Sequence, residues 1–394
     1  HLIPSCILNP NCIGIIGNGC VINLQDLHKE IDTIQNTLFE TDSNKDNIKQ
    51  RLLISDRAHI VINAHKEADA SRELQKSNSS NPKSVIGTTK QGMGPVYSTK
   101  ALRVGLRMCD IFLEESILKE KVKSLCEELE GGLGYKINID QVMCDIKNEV
   151  HFYRPMVMDT ITYLNMAIKN GCKVLVEIAQ SCLLDIDFGV YPYCTATNCS
   201  VGAVCSGLGI PANCIGKINY VLKTYCTRVG NGPFPTELGG CYDTEGSDEW
   251  ILGNKLQVIG KEYGTTTSRK RRCGWLDIPM VKWATMINGS DYNSATLCLI
   301  KLDVLDTFEE IKLAVDYKID GSVICGFPSS LENLAKVEVV YEVFKGWMTP
   351  TTHIRDCIDL PDNAKLYLRR IEELLGIPIK YIGVGAERSA MIQI

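Results

Sequence analysis

Three apolar runs rich in β-branched side chains, "KVLVEIA" (173–179), "YVLKTYCTRVG" (220–230) and "LCLIKLDVL" (297–305), recur between segments of helical spacing. Such runs show little of the polar alternation of a half-wet strand, so both faces must be covered. Helices laid on a sheet achieve that. The expected fold is α/β, with a large, mostly parallel central sheet, flanking helices and smaller antiparallel pieces.

The antiparallel pieces fall in the last third. "IKLAVDYKIDGSVI" (311–324) alternates polar and apolar around Asp320-Gly321, a hairpin signal, and "VEVVYEV" (337–343) alternates likewise. Between 113 and 130, Leu118, Val122, Leu125 and Leu129 recur at helical spacing among Glu and Lys, which predicts an amphipathic helix ending at Gly131-Gly132. A second helix is predicted over 362–375, closed by Gly376 and followed by the strand "IPIKYIGVG". The polar stretches 77–84 and 239–250 read as surface loops.

With 394 residues, 45% of them hydrophobic, the chain can build a substantial core. Its 42 basic and 47 acidic residues give a net charge of −5, which excludes a global positive field for nucleic acid or an anionic membrane. No apolar stretch reaches membrane-spanning length, and the start "HLIPSCILNP" lacks the charged and apolar regions of a signal peptide. The chain opens without Met and is read as a fragment or truncated product. Its 18 cysteines are scattered, with no C-x-x-C pair, and are expected to be reduced thiols in the cytoplasm.

Four segments carry candidate chemistry. In "IGTTKQGMGPVYSTKALRVGLR" (86–107), two threonines and two glycines precede a helix expected to carry Lys100, Arg103 and Arg107 in its first turns. This is either a phosphate cradle or an ordinary Gly/Pro loop with a solvated basic helix. "LLDIDFGVYPYCTATNCSVGAVCSGLG" (183–209) holds Asp185 and Asp187; paired acids can bind a metal, but capping a turn is the preferred reading. "KLDV" (301–304) resembles a guanine-reading pattern, in which Asp accepts from the base edge and the Lys stem covers its face. "GTTTSRKRRCGWLD" (264–277) sets four basic side chains before a Trp that looks interior, which aims the arginines at carboxylates or phosphates rather than marking a nuclear-import patch.

In this order the segments resemble the adenylosuccinate synthetase family, closest to the vertebrate type. The similarity spans essentially the whole chain through "HLIPS", "ILNPN", "IGNG", "IGTTKQGMGPVYSTKALRVGLR", "LLDIDFG", "YPY", "TRVGNGPFPTE", "YGTTTSRKRRCGWLDIPM", "IKLDVLD" and "IGVGAERSAMI". The resemblance implies a single P-loop NTPase-like synthetase domain over 1–394, a cytoplasmic homodimer, and a GTP-dependent ligase that joins IMP to L-aspartate in AMP synthesis with Mg²⁺. It assigns Thr89, Gln180, Thr195 and Arg269 to IMP, with Arg103 reaching a neighbouring subunit's IMP. Thr266, Thr267, Arg269 and Arg271 fall to aspartate. Arg271, Lys301, Leu302, Asp303, Gly383, Val384 and Gly385 fall to GTP.

The family's phosphate loop, with the catalytic base and Mg²⁺ ligand, and the segment bearing the catalytic acid precede the first residue here. On that basis neither catalytic nor metal-binding residues are assigned, and the first strand of the sheet is expected to be missing. The chain as given is expected to be inactive, the alternative being a non-catalytic paralogue or pseudogene product that binds IMP or dimerises. Gln91, Ile178, Val190, Ala203, Ser268 and Cys6 depart from the family's words, several of them replacing glycine.

Overall fold

A computed structural model describes residues 1–39, 48–78, 85–239, 245–265, 267–289 and 294–394. The loops expected at 77–84 and 239–250 lie partly outside them. The chain divides into two compact units, His1–Phe188 with Cys194–Cys214, and Gly189–Tyr193 with Ile215–Ile394.

The first unit holds a three-stranded parallel sheet in which Leu52–Ser55 lies between Gly14–Ile16 and Val157–Met158. Ile16, Leu52 and Ile54 are buried, and helices Leu24–Phe39, Asn63–Ser77, Glu115–Leu133 and Ile139–Tyr153 supply most of the core around them. Glu115–Leu133 buries Leu118, Val122, Leu125 and Leu129, the stripe that its spacing predicts. It runs through Gly131-Gly132, however, and ends on Gly134 in the left-handed region. Helical glycines cost little once the buried stripe is long, so the stop falls where the backbone must reverse its hand.

The second unit holds the parallel strands Ile218–Lys223, Ala295–Ile300 and Ile379–Gly383, with Met391–Gln393 antiparallel at one edge. Ala295, Leu297 and Leu299 point into the core from the middle strand. A second sheet pairs Leu276–Asp277 parallel to Glu310–Ile319, which in turn pairs antiparallel with Ser322–Val323 and Glu338–Lys345. The predicted hairpin turns on Asp320 and Gly321 at φ 50° and 76°, and the predicted helix runs Asp362–Leu375 with Gly376 at φ 65°. A third sheet sets Arg272–Gly274 between Cys226–Arg228 and Glu237–Leu238, all antiparallel.

The α/β class with parallel ladders and flanking helices holds, but one expected strand does not. Residues 173–179 join no ladder among the described residues, and Leu175 is 84% exposed. β-branching favours an extended chain, but only a hydrogen-bonding neighbour makes it a strand. No disulfide occurs among the described residues. No described helix is long and apolar enough to cross a membrane.

Candidate active site

The Thr-Thr loop of the first unit is fastened by two acids of the Asn63–Ser77 helix that the sequence reading missed. The Thr88 hydroxyl and the Gly92 amide both donate to Asp69, at 3.0 Å each, and the Gly87 amide donates to Glu73 at 3.0 Å. Asp69 and Glu73 are four residues apart, hence on one helix face, and both are buried. Their i,i+4 spacing was visible in "HKEADASRE", but nothing in it separates this face from a solvated one. Since Thr88 is held, Thr89 is the exposed hydroxyl of the pair.

The helix after this loop runs Met93–Leu102, so Lys100 lies in its last turn and Arg103 caps its C-terminus, φ 66° and exposed. The expected basic first turns are thereby corrected: the helix begins at Gly92, earlier than the basic residues suggest. Ten residues of helix span about 15 Å. Thr89 and Arg103 therefore lie off opposite ends of it.

Gln180 and Thr195 share one loop folded around Asp185, which is fully buried. Its carboxylate accepts from the amides of Asp187, Phe188 and Cys199 at 2.8, 3.2 and 2.5 Å. Asp187 accepts from the Asn198 side chain at 2.7 Å. Both acids therefore organise a turn, as the preferred reading had it. The Thr195 amide donates to the Leu184 carbonyl at 2.8 Å, and Cys199 Sγ lies 3.9 Å from Gln180 Oε1. Gln180 adopts φ 67°, a left-handed conformation that a non-glycine residue keeps only when its surroundings impose it.

In the second unit the basic run divides by partner. Arg272 makes a two-pronged ion pair with Glu237 and donates to the carbonyls of Gly230 and Gly232. Arg271 donates to Glu262 at 2.9 Å, whereas Arg269 Nε lies 3.3 Å from its neighbour Thr267. Thr266 lies outside the described residues. Ser268 sits at φ 52°, where glycine would be relaxed, while Gln91, Ile178, Val190, Ala203 and Cys6 all avoid positive φ. Trp275 is 2% exposed, anchoring the run to the core as its sequence suggests. Gly274 is required there, because a Cβ would lie 2.2 Å from the Thr236 carbonyl oxygen.

Lys301, Leu302 and Asp303 follow the middle strand of the parallel sheet. Lys301 takes φ 65° and Leu302 is fully buried. Asp303 Oδ1 is buried without a hydrogen-bond partner among the described residues. Burial pushes its carboxyl above the ordinary range. In the same sheet Gly383 ends the neighbouring strand, and a Cβ on it would lie 3.2 Å from Ile300 Cα. Val384 is buried with its amide held by the Ala390 carbonyl, and Gly385 follows.

One further acid went unnoticed in the sequence. The Glu262 side chain is wholly buried and accepts from Lys223 at 2.9 Å, Lys301 at 2.8 Å, Arg271 at 2.9 Å and the Tyr225 hydroxyl at 2.6 Å. Burial alone would raise its pKa, but the hydrogen bonds from Lys301, Tyr225 and Lys223 hold it down at about 2. Three cations against one carboxylate leave an excess of positive charge, with nothing in the sequence to bring positions 223, 262, 271 and 301 together before folding.

An acid with one buried oxygen left open just after a strand of a parallel sheet, and three cations gathered on one carboxylate in the same unit, suit the binding of a polar, anionic ligand. The adenylosuccinate synthetase family model matches residues 1–392, and the chain belongs to that family. The chain is similar to adenylosuccinate synthetases of Dictyostelium discoideum, 44% identical over all of this chain and 87% of the relative, and of Drosophila mojavensis, 42% identical over all of this chain and 83% of the relative. It also matches the structure of fully ligated adenylosuccinate synthetase from Plasmodium falciparum, with TM-score 0.90 and 37% identity, covering all of this chain and 88% of that one. These are GTP-dependent ligases that join IMP and aspartate as adenylosuccinate. That function, rather than a non-catalytic binding or dimerising copy, is what the comparisons favour for this chain.

Proposed function

We propose that the ligase reaction is distributed over these residues as follows. Thr89, Gln180, Thr195 and Arg269 hold IMP; Thr266, Thr267, Arg269 and Arg271 hold aspartate; and Arg271, Lys301, Leu302, Asp303, Gly383, Val384 and Gly385 hold GTP. The γ-phosphoryl of GTP passes to O6 of IMP. The aspartate amine then forms the C6–N bond as phosphate leaves with O6. The chain forms one synthetase domain over 1–394, in a cytoplasmic homodimer.

The observation that carries this reading is the orphaned oxygen of Asp303. A buried carboxylate oxygen left without a donor is costly, and a guanine edge offers adjacent N–H donors that would satisfy it. The position of Arg103 supports its action on a partner's IMP. It leaves the far end of the helix that Thr89 precedes, about 15 Å along the axis, and is exposed.

Mg²⁺ accompanies GTP in this family. Such an ion is held largely by the nucleotide's own phosphates and by one or two carboxylates, and among the described residues no group of three or more His, Cys, Asp or Glu side chains gathers that could hold an ion by itself.

Calorimetry on the natural gene product carrying this chain tests the guanine assignment. GDP should bind more tightly than ADP, and Asp303→Ala should weaken GDP by about 1.5–3 kcal/mol, the worth of hydrogen bonds to a charged group, without changing ADP. Equal binding of the two nucleotides, or an indifferent variant, would remove Asp303 from the pocket.

A further inference from the structure

We propose that Glu262 is a positioning residue of this ligase, a buried carboxylate that fixes Lys301 and Arg271 in place so that nucleotide and the basic loop are held from one point. The inference rests on the assignment of those two cations to GTP and aspartate. Each sits on a different segment: Lys301 after the Ala295–Ile300 strand, Arg271 before Arg272–Gly274. Long side chains on separate segments have no common geometry unless something immobile joins them.

Glu262 is immobile. Its backbone carbonyl accepts from the Arg271 amide at 2.9 Å and from the Gln257 side chain at 3.0 Å, and its own amide donates to the Gln257 carbonyl at 2.9 Å. Its carboxylate receives four different side chains, with Lys223 placed across both oxygens at 2.9 Å and also donating to Thr227 at 2.8 Å. Lys223 therefore spends its three N–H groups inside the protein. Lys301 spends two, on Glu262 and on the Gly260 carbonyl, and Arg271 spends one side-chain donor on Glu262. Lys223 is thus a fixed counter-ion, while Lys301 and Arg271 are held by one edge with donors to spare. That asymmetry is the mark of a support for ligand-binding groups rather than of a closed ion cluster.

Two roles for such an acid predict opposite signs. Were Glu262 only a charge balance, removing its charge would leave three unopposed cations and tighten the binding of an anionic nucleotide. If it positions them, the same change places an amide N–H₂ against cationic donors, releases Lys301 and Arg271, and weakens binding.

The test measures GDP and IMP affinities of the natural gene product and its Glu262→Gln, Tyr225→Phe and Lys301→Met variants. Glu262→Gln is expected to weaken GDP by about tenfold or more, as second-layer supports commonly do, and to leave IMP affinity near wild type. It should also raise the KM for aspartate at saturating GTP, with a smaller change in kcat. Tyr225→Phe removes one donor to Glu262 without altering charge and should weaken GDP in the same direction by less, an arm that stands even if the Gln variant folds poorly. In a Lys301→Met background the Glu262→Gln effect on GDP should shrink, since part of what Glu262 supports is gone. Tighter or unchanged GDP binding in Glu262→Gln, or equal losses for GDP and IMP, would overturn the proposal. Should Lys301→Met itself leave GDP unaffected, the guanine assignment fails and this inference with it. If Lys301→Met weakens GDP while Glu262→Gln and Tyr225→Phe do not, the inference alone is wrong.

Discussion

Asp303 and Glu262 are carboxylates in opposite hydrogen-bonding states, the first with a buried oxygen left open and the second saturated by four donors. Their acid responses should differ accordingly. The Glu262 pKa in the fold, about 2, is below its ordinary 4.5, so its contribution to stability is complete above pH 4.5 and is lost as pH falls through 2. Acid unfolding followed by circular dichroism should show wild type losing stability across that window relative to Glu262→Gln; parallel profiles would show that the carboxylate is not held ionised. At Ser268, φ 52° implies strain that glycine would relieve. Ser268→Gly should leave stability unchanged or raise it by about 1 kcal/mol in a denaturant titration, whereas a clear loss would mean that the serine side chain holds the loop.

Single elements obey the sequence where their signals are local. The Asp362–Leu375 helix buries Ala364, Tyr367, Leu368 and Ile371 on one face and stops at Gly376, φ 65°. Gly376→Ala should cost about 1 kcal/mol, read as a lower Tm, because alanine must enter the left-handed region. The Ile278–Asn288 helix is capped by Asp277, which accepts from the Met280 amide at 3.1 Å and from the Tyr317 hydroxyl at 2.5 Å. Burial raises that carboxyl to about 6 from 3.8, so its stabilising share is present below 3.8 and lost as pH rises through 6. Asp277→Asn should therefore gain Tm relative to wild type on going from about pH 4 to about pH 8; a constant difference would show that Asp277 does not titrate there. The Gly376 stop, the hairpin and the amphipathic stripe were legible because each depends on residues within a few positions. The strand expected at 173–179 was not, because pairing depends on a distant neighbour that propensity cannot supply.

At the scale of the molecule, the proposed site is written in the sequence as words but not as geometry. The Thr-Thr loop, Gln180, Thr195, the basic run, Lys301-Asp303 and Gly383-Gly385 are contiguous motifs, so sequence could point to them. Asp69, Glu73, Glu262 and Lys223 carry no motif. They hold those words in position through contacts between residues as far apart as 223 and 262 or 262 and 301, and only the folded chain brings such pairs within 3 Å. The same division explains why Arg103 looked like the start of a basic helix and proved to be its cap. Charge pattern locates side chains along the sequence, while helix boundaries depend on where the backbone is first fixed, here at Gly92 under Asp69.

The measurement that bears most directly on this reading is turnover: adenylosuccinate formed from IMP and L-aspartate by the natural gene product carrying this chain, with GTP or with ATP as the energy donor. Product should accumulate with GTP and not with ATP, and Asp303→Ala should lower turnover at limiting GTP far more than at saturating GTP. Product formed equally well with ATP, or none formed with GTP, would contradict it.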